Sequence, residues 1–74
     1  MPGLQKRSVS LSGHATSVAL EPAFWRVLEA MAAAEGSSLA AVIARIDAGR
    51  GRSPLASACR VSALAWTRSR DAEG

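Results

Sequence analysis

A change in hydrophobic periodicity at Pro22 is the feature that most constrains what this chain can fold into. Residues 16–20 alternate between apolar and small outward side chains, as in a half-buried strand, and the apolar residues after Pro22 follow helical spacing. A second helical pattern follows Gly36. The sequence therefore predicts a short strand followed directly by two helices. Such small elements cannot cover their own backbone and apolar surface, so we expect a second copy of the chain to complete an intertwined homodimer.

Capping and turn residues predict three helices. The first, 22–35, begins with proline at its first position, where a missing N–H costs nothing, and ends before a glycine suited to a left-handed conformation. Ser37 or Ser38 caps the second helix, 39–48. A serine–proline pair begins the third helix, 54–68.

Each terminal helix is predicted to bury one apolar face. In the first helix that face consists of Phe24, Val27, Leu28 and Met31, with Trp25 at its edge. In the third helix it consists of Leu55, Ala58, Val61, Leu64 and Ala65, with Trp66 adjacent and Arg60 and Thr67 on the opposite side.

A second alternating run, 8–12, precedes the predicted strand, with Val9 and Leu11 on one face. A glycine–histidine pair separates the two runs, so they could form a β-hairpin within one chain. A hairpin within one chain is an alternative to the single strand. The two can also coexist, if the 8–12 strand of each chain flanks a central ribbon shared by two chains.

Length and composition place these elements in one domain. A chain of 74 residues is near the size at which a single core is marginal, and much of its 49% hydrophobic content is alanine. We expect a flexible arm over 1–6, a folded domain over 7–68 and a charged, disordered tail over 69–74. The net charge of +3 permits a polyanionic partner and is also ordinary for a small soluble domain.

Several classes of protein are disfavoured. One cysteine, Cys59, allows neither an intrachain disulfide nor a thiolate zinc site within one chain, which suggests a reducing cytoplasm. No apolar run approaches the ~20 residues of a membrane span, and the N-terminus lacks the apolar stretch of a signal peptide. We expect a cytoplasmic protein without a membrane partner.

Catalytic chemistry is also not indicated. His14 has no acidic residue near it in sequence and no motif pairs it with a nucleophile, and Cys59 lies among small residues that suggest packing. Trp25 and Trp66 are more typical of core or dimer-edge packing than of an aromatic binding surface. With no glycine-rich phosphate loop, carboxylate pair or metal-ligand spacing, we expect no enzyme activity, cofactor or metal.

The order of elements resembles the ribbon-helix-helix fold of the Arc and MetJ repressors over residues 16–46. Over 6–66 the chain is similar to a small bacterial subfamily of ribbon-helix-helix proteins with a third helix. The residues that carry this resemblance are Lys6-Arg7-Ser8-Val9, Gly13-His14, Thr16-Ser17-Val18, Leu20-Glu21 and Phe24-Trp25. The resemblance implies a mainly α fold with a short N-terminal β-ribbon, in which two chains pair their strands antiparallel and insert the ribbon into the major groove of DNA.

The resemblance also implies which residues contact DNA. The outward side chains of the ribbon, which meet base edges, would be Ala15, Ser17 and Ala19. Long polar side chains are usual at such positions. The two alanines can contact a thymine methyl but cannot make a bidentate pair, which contributes roughly 1–3 kcal/mol of base discrimination. We therefore expect weak sequence specificity.

Phosphate contacts are expected from two places. Ser37 and Ser38 lie where the second helix begins, and free N–H groups there favour a phosphate, although the serines could equally serve only as caps. Lys6 and Arg7 could follow the DNA backbone from a mobile arm or could simply be solvated. A second basic pair, Arg50 and Arg52, is more typical of a soluble linker.

Two functions remain open at this point. The first is a dimeric DNA-binding protein that acts as a transcriptional regulator. The second is a dimerisation or adaptor module that keeps the fold but binds another protein, through its ribbon or through the third helix that carries Trp66.

Overall fold

The computed structural model describes the backbone of residues 3–73 and the side chains of residues 3–72. Two strands precede three helices. In chain order these elements are β1 (Gln5–Leu11), β2 (His14–Leu20), α1 (Pro22–Glu35), α2 (Leu39–Gly49) and α3 (Leu55–Glu73).

The two alternating runs form an antiparallel hairpin within one chain, which decides between the alternatives left open by the sequence. The register runs from Leu11 opposite His14 to Gln5 opposite Leu20. The turn residues have positive φ, 52° at Ser12 and 82° at Gly13, as a type I′ turn requires. This turn matches the right-handed twist of the two strands, so the strand that needed a partner finds one in its own chain.

The N-terminal boundary differs from the predicted arm over 1–6. Gln5 and Lys6 belong to β1, and residues 1–2 of the predicted arm lie outside the described part of the chain. Ladder pairing with Leu20 holds Gln5 in place, and the Trp25 indole N–H donates a hydrogen bond of 2.8 Å to the Gln5 carbonyl.

One apolar core lies between the inner face of the hairpin and the three helices. Val18 and Leu20 are buried in the single chain, so a second copy is not needed to cover them. The reason for this is that β1 pairs with β2 and α3 packs against the same sheet. The core residues are Val9, Leu11, Val18, Leu20, Trp25, Leu28, Met31, Ala32, Val42, Ile43, Ile46, Cys59 and Ala63.

The buried face of α1 is rotated relative to the prediction. Trp25 is fully buried and is not at the edge of the face, whereas Phe24 and Val27 are only half-buried. Leu28 and Met31 are buried as predicted. A buried tryptophan needs a partner for its N–H, and the Gln5 carbonyl supplies one.

The predicted junction between α1 and α2 is confirmed. Gly36 has φ 66°, and the N–H groups of Gly36 and Ser37 donate to the carbonyls of Ala33 and Ala32, which is the Schellman pattern. Ser38 caps α2 by accepting a hydrogen bond of 3.0 Å from the N–H of Ala41. Within the described residues no single helix is long and apolar enough to cross a membrane; α1 and α2 meet those criteria only as a pair bent by 102°.

The predicted apolar face of α3 is wrong at three positions, because Val61, Leu64 and Ala65 are all exposed. Val61 and Leu64 are 64% and 55% exposed, while Cys59 and Ala63 are buried one turn apart. The small side chains let α3 lie close to the core, and the 2.9 Å ion pair from Arg60 to Glu21 ties the helix to the end of β2. The helix also continues to Glu73, past the predicted end at residue 68 and through most of the predicted tail.

Candidate functional site

The outer face of the hairpin is the surface on which the predicted ribbon residues lie. Side chains alternate along both strands, and those that point away from the core are Lys6, Ser8, Ser10, Ala15, Ser17 and Ala19. Ala19 is half-buried and the other five are exposed. From the sequence, only the β2 residues Ala15, Ser17 and Ala19 were expected on this face. Ser8 and Ser10 were missed, although their alternation with Val9 and Leu11 carried the necessary signal.

Small side chains dominate this outer face. Cross-strand neighbours pair Lys6 with Ala19, Ser8 with Ser17, and Ser10 with Ala15. Each serine hydroxyl can donate one hydrogen bond and accept others. The face is therefore flat, carries hydroxyl groups, and has one cation at the end of β1 that is farther from the turn.

The outer edge of β2 is open. Because the turn has two residues, Leu11 and His14 form a hydrogen-bonded pair, and hydrogen bonding then falls on every second pair along the ladder. The backbone N–H and C=O groups of Ala15, Ser17 and Ala19 therefore point away from β1. They have no hydrogen-bond partner elsewhere in the described part of the chain.

Arg7 lies on the opposite side of the hairpin from Lys6, which contradicts its predicted place beside Lys6 on a mobile arm. Its guanidinium forms a 3.1 Å ion pair with Glu29 and lies 4.8 Å from the centroid of the Trp25 ring. Strand alternation places Arg7 on the inner side, next to Val9. Only Lys6 of this pair is available to the outer face.

Ion pairs also hold Arg45 and Arg60. Arg45 pairs with Glu35, and the hydrogen bond from Arg45 lowers the pKa of that carboxyl. Arg60 pairs with Glu21, whose pKa is lowered chiefly by the same kind of bond. These two arginines connect helices to one another or to the end of β2, so their charge is partly neutralised.

The linker arginines have different surroundings. Arg50 pairs with Asp47 at 2.6 Å and donates to the Ser53 carbonyl at 2.7 Å, so it orders the connection between α2 and α3. Arg52 is exposed. Among the described side chains neither Arg52 nor Lys6 has an acidic partner within ion-pair distance.

The N-terminus of α2 holds the other two predicted phosphate ligands. Ser38 uses its hydroxyl oxygen as the helix cap, and Ser37 is exposed beside it. The N–H groups of Leu39 and Ala40 have no hydrogen-bond partner in the described chain. Those unpaired groups and the positive end of the helix dipole favour an anion. The capping role is present, and a phosphate role stays a prediction.

The two residues considered for catalysis have unremarkable surroundings. Cys59 is fully buried, and burial raises the pKa of its thiol, which opposes formation of a nucleophilic thiolate. His14 is exposed beside the hairpin turn. Within the described part of the chain its imidazole takes part in no hydrogen bond or ion pair.

Comparison with known proteins supports the same architecture. The sequence model of the family described as ribbon-helix-helix domain matches residues 4–67, which include both strands, α1, α2 and most of α3. Comparison with curated proteins and with solved structures gave no match. Because the matched region covers most of the chain, this protein belongs to the ribbon-helix-helix domain family.

Proposed function

We propose that this protein is a dimeric DNA-binding protein that acts as a transcriptional regulator and uses the outer face of its hairpin in the major groove. Proteins of the family generally bind DNA as transcriptional regulators, typically as homodimers and without enzymatic activity. The observation that carries the proposal is an exposed, hydroxyl-bearing hairpin face with a cation at one end, bordered by an unpaired strand edge.

The open edge of β2 supplies the dimer contact. If two copies pair these edges antiparallel with Ser17 opposite Ser17, Ala15 of one chain lies opposite Ala19 of the other. The product is a four-stranded sheet with β2 of each copy at its centre. Each chain keeps its own core in this dimer, because Val18 and Leu20 are already buried in one chain. The two copies therefore share a sheet without exchanging core elements.

The width of that sheet is close to the width of the major groove, and its central and outer strands have different roles there. Neighbouring strands lie ~4.8 Å apart, so four strands span about 14 Å from first to last. The major groove is about 12 Å wide, so the two central strands enter it and the outer strands meet its walls. Ala15, Ser17 and Ala19 then face base edges, and Lys6 on β1 faces phosphates.

The DNA contact is tested by titrating the full chain with mixed-sequence duplex DNA at several salt concentrations. Lys6→Ala is compared with Arg52→Ala, which removes the same charge from the linker. Each lost phosphate contact reduces the salt slope by about 0.9, so Lys6→Ala should reduce it by about 2 in a dimer. Arg52→Ala should leave affinity and slope unchanged. Equal effects of the two variants, or binding that does not depend on salt, would refute the proposal.

The dimer contact is tested by analytical ultracentrifugation of two proline variants. Ser17→Pro removes an outward N–H from the open β2 edge, and proline is tolerated where the N–H of a strand faces solvent. Ser8→Pro makes the matching change on the outer edge of β1. We expect Ser17→Pro to be a folded monomer and Ser8→Pro to remain a dimer. Dissociation in both variants, or in neither, would contradict edge pairing.

A protein-binding adaptor is the second candidate function, and the exposed side of α3 favours it. Val61 and Leu64 are 64% and 55% exposed and lie nearly one turn apart. Duplex binding by the unaltered chain separates the candidates, and the double variant Val61→Ser with Leu64→Ser shows whether this side of α3 contributes to that binding. A DNA-binding protein keeps its affinity for duplex DNA after these changes. Failure of the unaltered chain to bind any duplex would leave the adaptor function as the better account.

A further inference from the structure

The composition of the outer face limits which base contacts it can make. Among the outward side chains Lys6 alone could reach both O6 and N7 of a guanine, and in the proposed dimer it lies on an outer strand and faces phosphates. The two central strands carry only alanine and serine outward, so they offer no bidentate contact with guanine or adenine. The serine hydroxyls can bond to any base. The apolar groups that face outward are the methyl groups of Ala15 and Ala19.

We propose that these two methyl groups make the protein selective for the C5-methyl group of pyrimidines, so that its preferred ligand is thymine-rich duplex DNA. This inference rests on the proposed function. Thymine presents its methyl group in the major groove, and alanine contacts that group directly. Since the serine hydroxyls are tolerant of base identity and Lys6 faces phosphates in the proposed dimer, methyl contact is the base-dependent interaction that remains.

The geometry of the hairpin also fixes the spacing of the contacts. Ala15 and Ala19 are four residues apart on β2, which corresponds to about 13 Å along a strand. In the edge-paired dimer Ala15 of one copy lies beside Ala19 of the other, so the four methyl groups form two pairs at this separation. A separation of about 13 Å corresponds to roughly three to four base-pair steps. The preferred site therefore has two thymine-containing positions at that spacing.

The test uses the full chain and chemically matched duplexes. An alternating adenine–thymine duplex is compared with the same duplex containing deoxyuridine in place of thymidine, which removes the methyl groups and keeps every phosphate. Burial of one methyl group corresponds to about fourfold in affinity. We expect the deoxyuridine duplex to bind at least tenfold more weakly with an unchanged salt slope. A guanine–cytosine duplex should gain affinity when its cytosines carry a C5-methyl group.

Two variants connect the preference to the alanines. The double variant Ala15→Ser with Ala19→Ser replaces both methyl groups by hydroxymethyl groups, and Ala30→Ser makes the same change at an exposed position on α1. Circular dichroism establishes that each variant is folded. The double variant should bind thymidine and deoxyuridine duplexes alike, and Ala30→Ser should keep the preference.

The possible failures are distinguishable. Equal, salt-dependent binding of the unaltered chain to both duplexes would overturn the methyl preference and leave the proposed function standing. A preference that survives in the double variant would overturn the assignment to Ala15 and Ala19. No salt-dependent binding to any duplex would overturn both the inference and the proposed function.

Discussion

Trp25→Phe tests whether the indole of α1 holds the hairpin on the core. The indole N–H donates a 2.8 Å hydrogen bond to the Gln5 carbonyl, and the ring is fully buried beneath Arg7. Phenylalanine keeps an aromatic ring there, so the substitution removes the hydrogen bond and the second ring without adding a polar group.

The expected loss of stability has two parts. Loss of one hydrogen bond costs about 1 kcal/mol. The vacated ring leaves a cavity on the order of 40 Å³, which at about 24 cal/mol per Å³ costs about 1 kcal/mol more. The sum is about 2 kcal/mol, against a total of about 4–11 kcal/mol for a domain of this length. The melting temperature should fall by roughly 10 °C.

Urea unfolding followed by far-ultraviolet circular dichroism measures this loss without relying on tryptophan fluorescence. Trp66→Phe is the matched control, because Trp66 is half-buried and its N–H has no partner among the described residues. That variant should lose less than about 1 kcal/mol. If the two variants lose the same free energy of unfolding, the hydrogen bond to the Gln5 carbonyl does not hold the hairpin on the core.

Three further predictions concern the turn, one ion pair and the orientation of α3. Ser12→Asn should raise the free energy of unfolding in urea by about 0.5 kcal/mol, because asparagine followed by glycine suits a type I′ turn and Ser12 has φ 52°. The Arg60 hydrogen bond lowers the pKa of Glu21, so the pair stabilises the fold above the ordinary carboxyl pKa of 4.5, and this contribution is lost as the pH falls below it. Glu21→Gln should therefore flatten the acid side of the stability profile measured by urea unfolding at a series of pH values. Ala63→Leu should cost about 1–3 kcal/mol by overpacking a side chain that is 1% exposed. Leu64→Gln should cost no more than about 0.5 kcal/mol in the same assay.

Each of these predictions has a result that would contradict it. A less stable Ser12→Asn would mean that the turn is not type I′, and Ser12→Val, which cannot easily adopt positive φ, should be destabilised as the opposite control. An unchanged acid limb in Glu21→Gln would mean that the ion pair with Arg60 does not stabilise the fold. If Ala63→Leu and Leu64→Gln lose the same free energy of unfolding, α3 buries the face that the sequence predicted.

The sequence alone determined those helix boundaries that depend on residues close by in the chain. Proline at the first position of α1, Gly36 after its end and the Ser38 cap act within a turn of the chain, so the helix boundaries there follow from residue type. The outward placement of Ala15, Ser17 and Ala19 also followed from the sequence, because strand side chains alternate whatever the partner strand.

The direction of the Arg7 side chain follows from strand alternation, but only after the pairing of β1 with β2 is known. The same alternation that turns Val9 inward turns Arg7 inward as well, but only once residues 5–11 are known to form a strand. Treated as part of an arm, Arg7 had no assigned direction. Pairing of β1 with β2 supplied that direction, and Glu29 and Trp25 then held the side chain.

The faces that α1 and α3 bury were decided by the tertiary structure. Phe24 and Trp25 are adjacent on a helix, about 100° apart, so the apolar pattern permits either to face the core. The hydrogen bond to Gln5, twenty residues away in sequence, favours Trp25. On α3 the larger side chains of Val61 and Leu64 suggested the buried face, but close packing buries Cys59 and Ala63. Residue size and period determined that these helices are amphipathic, and only contacts between distant segments determined their rotation.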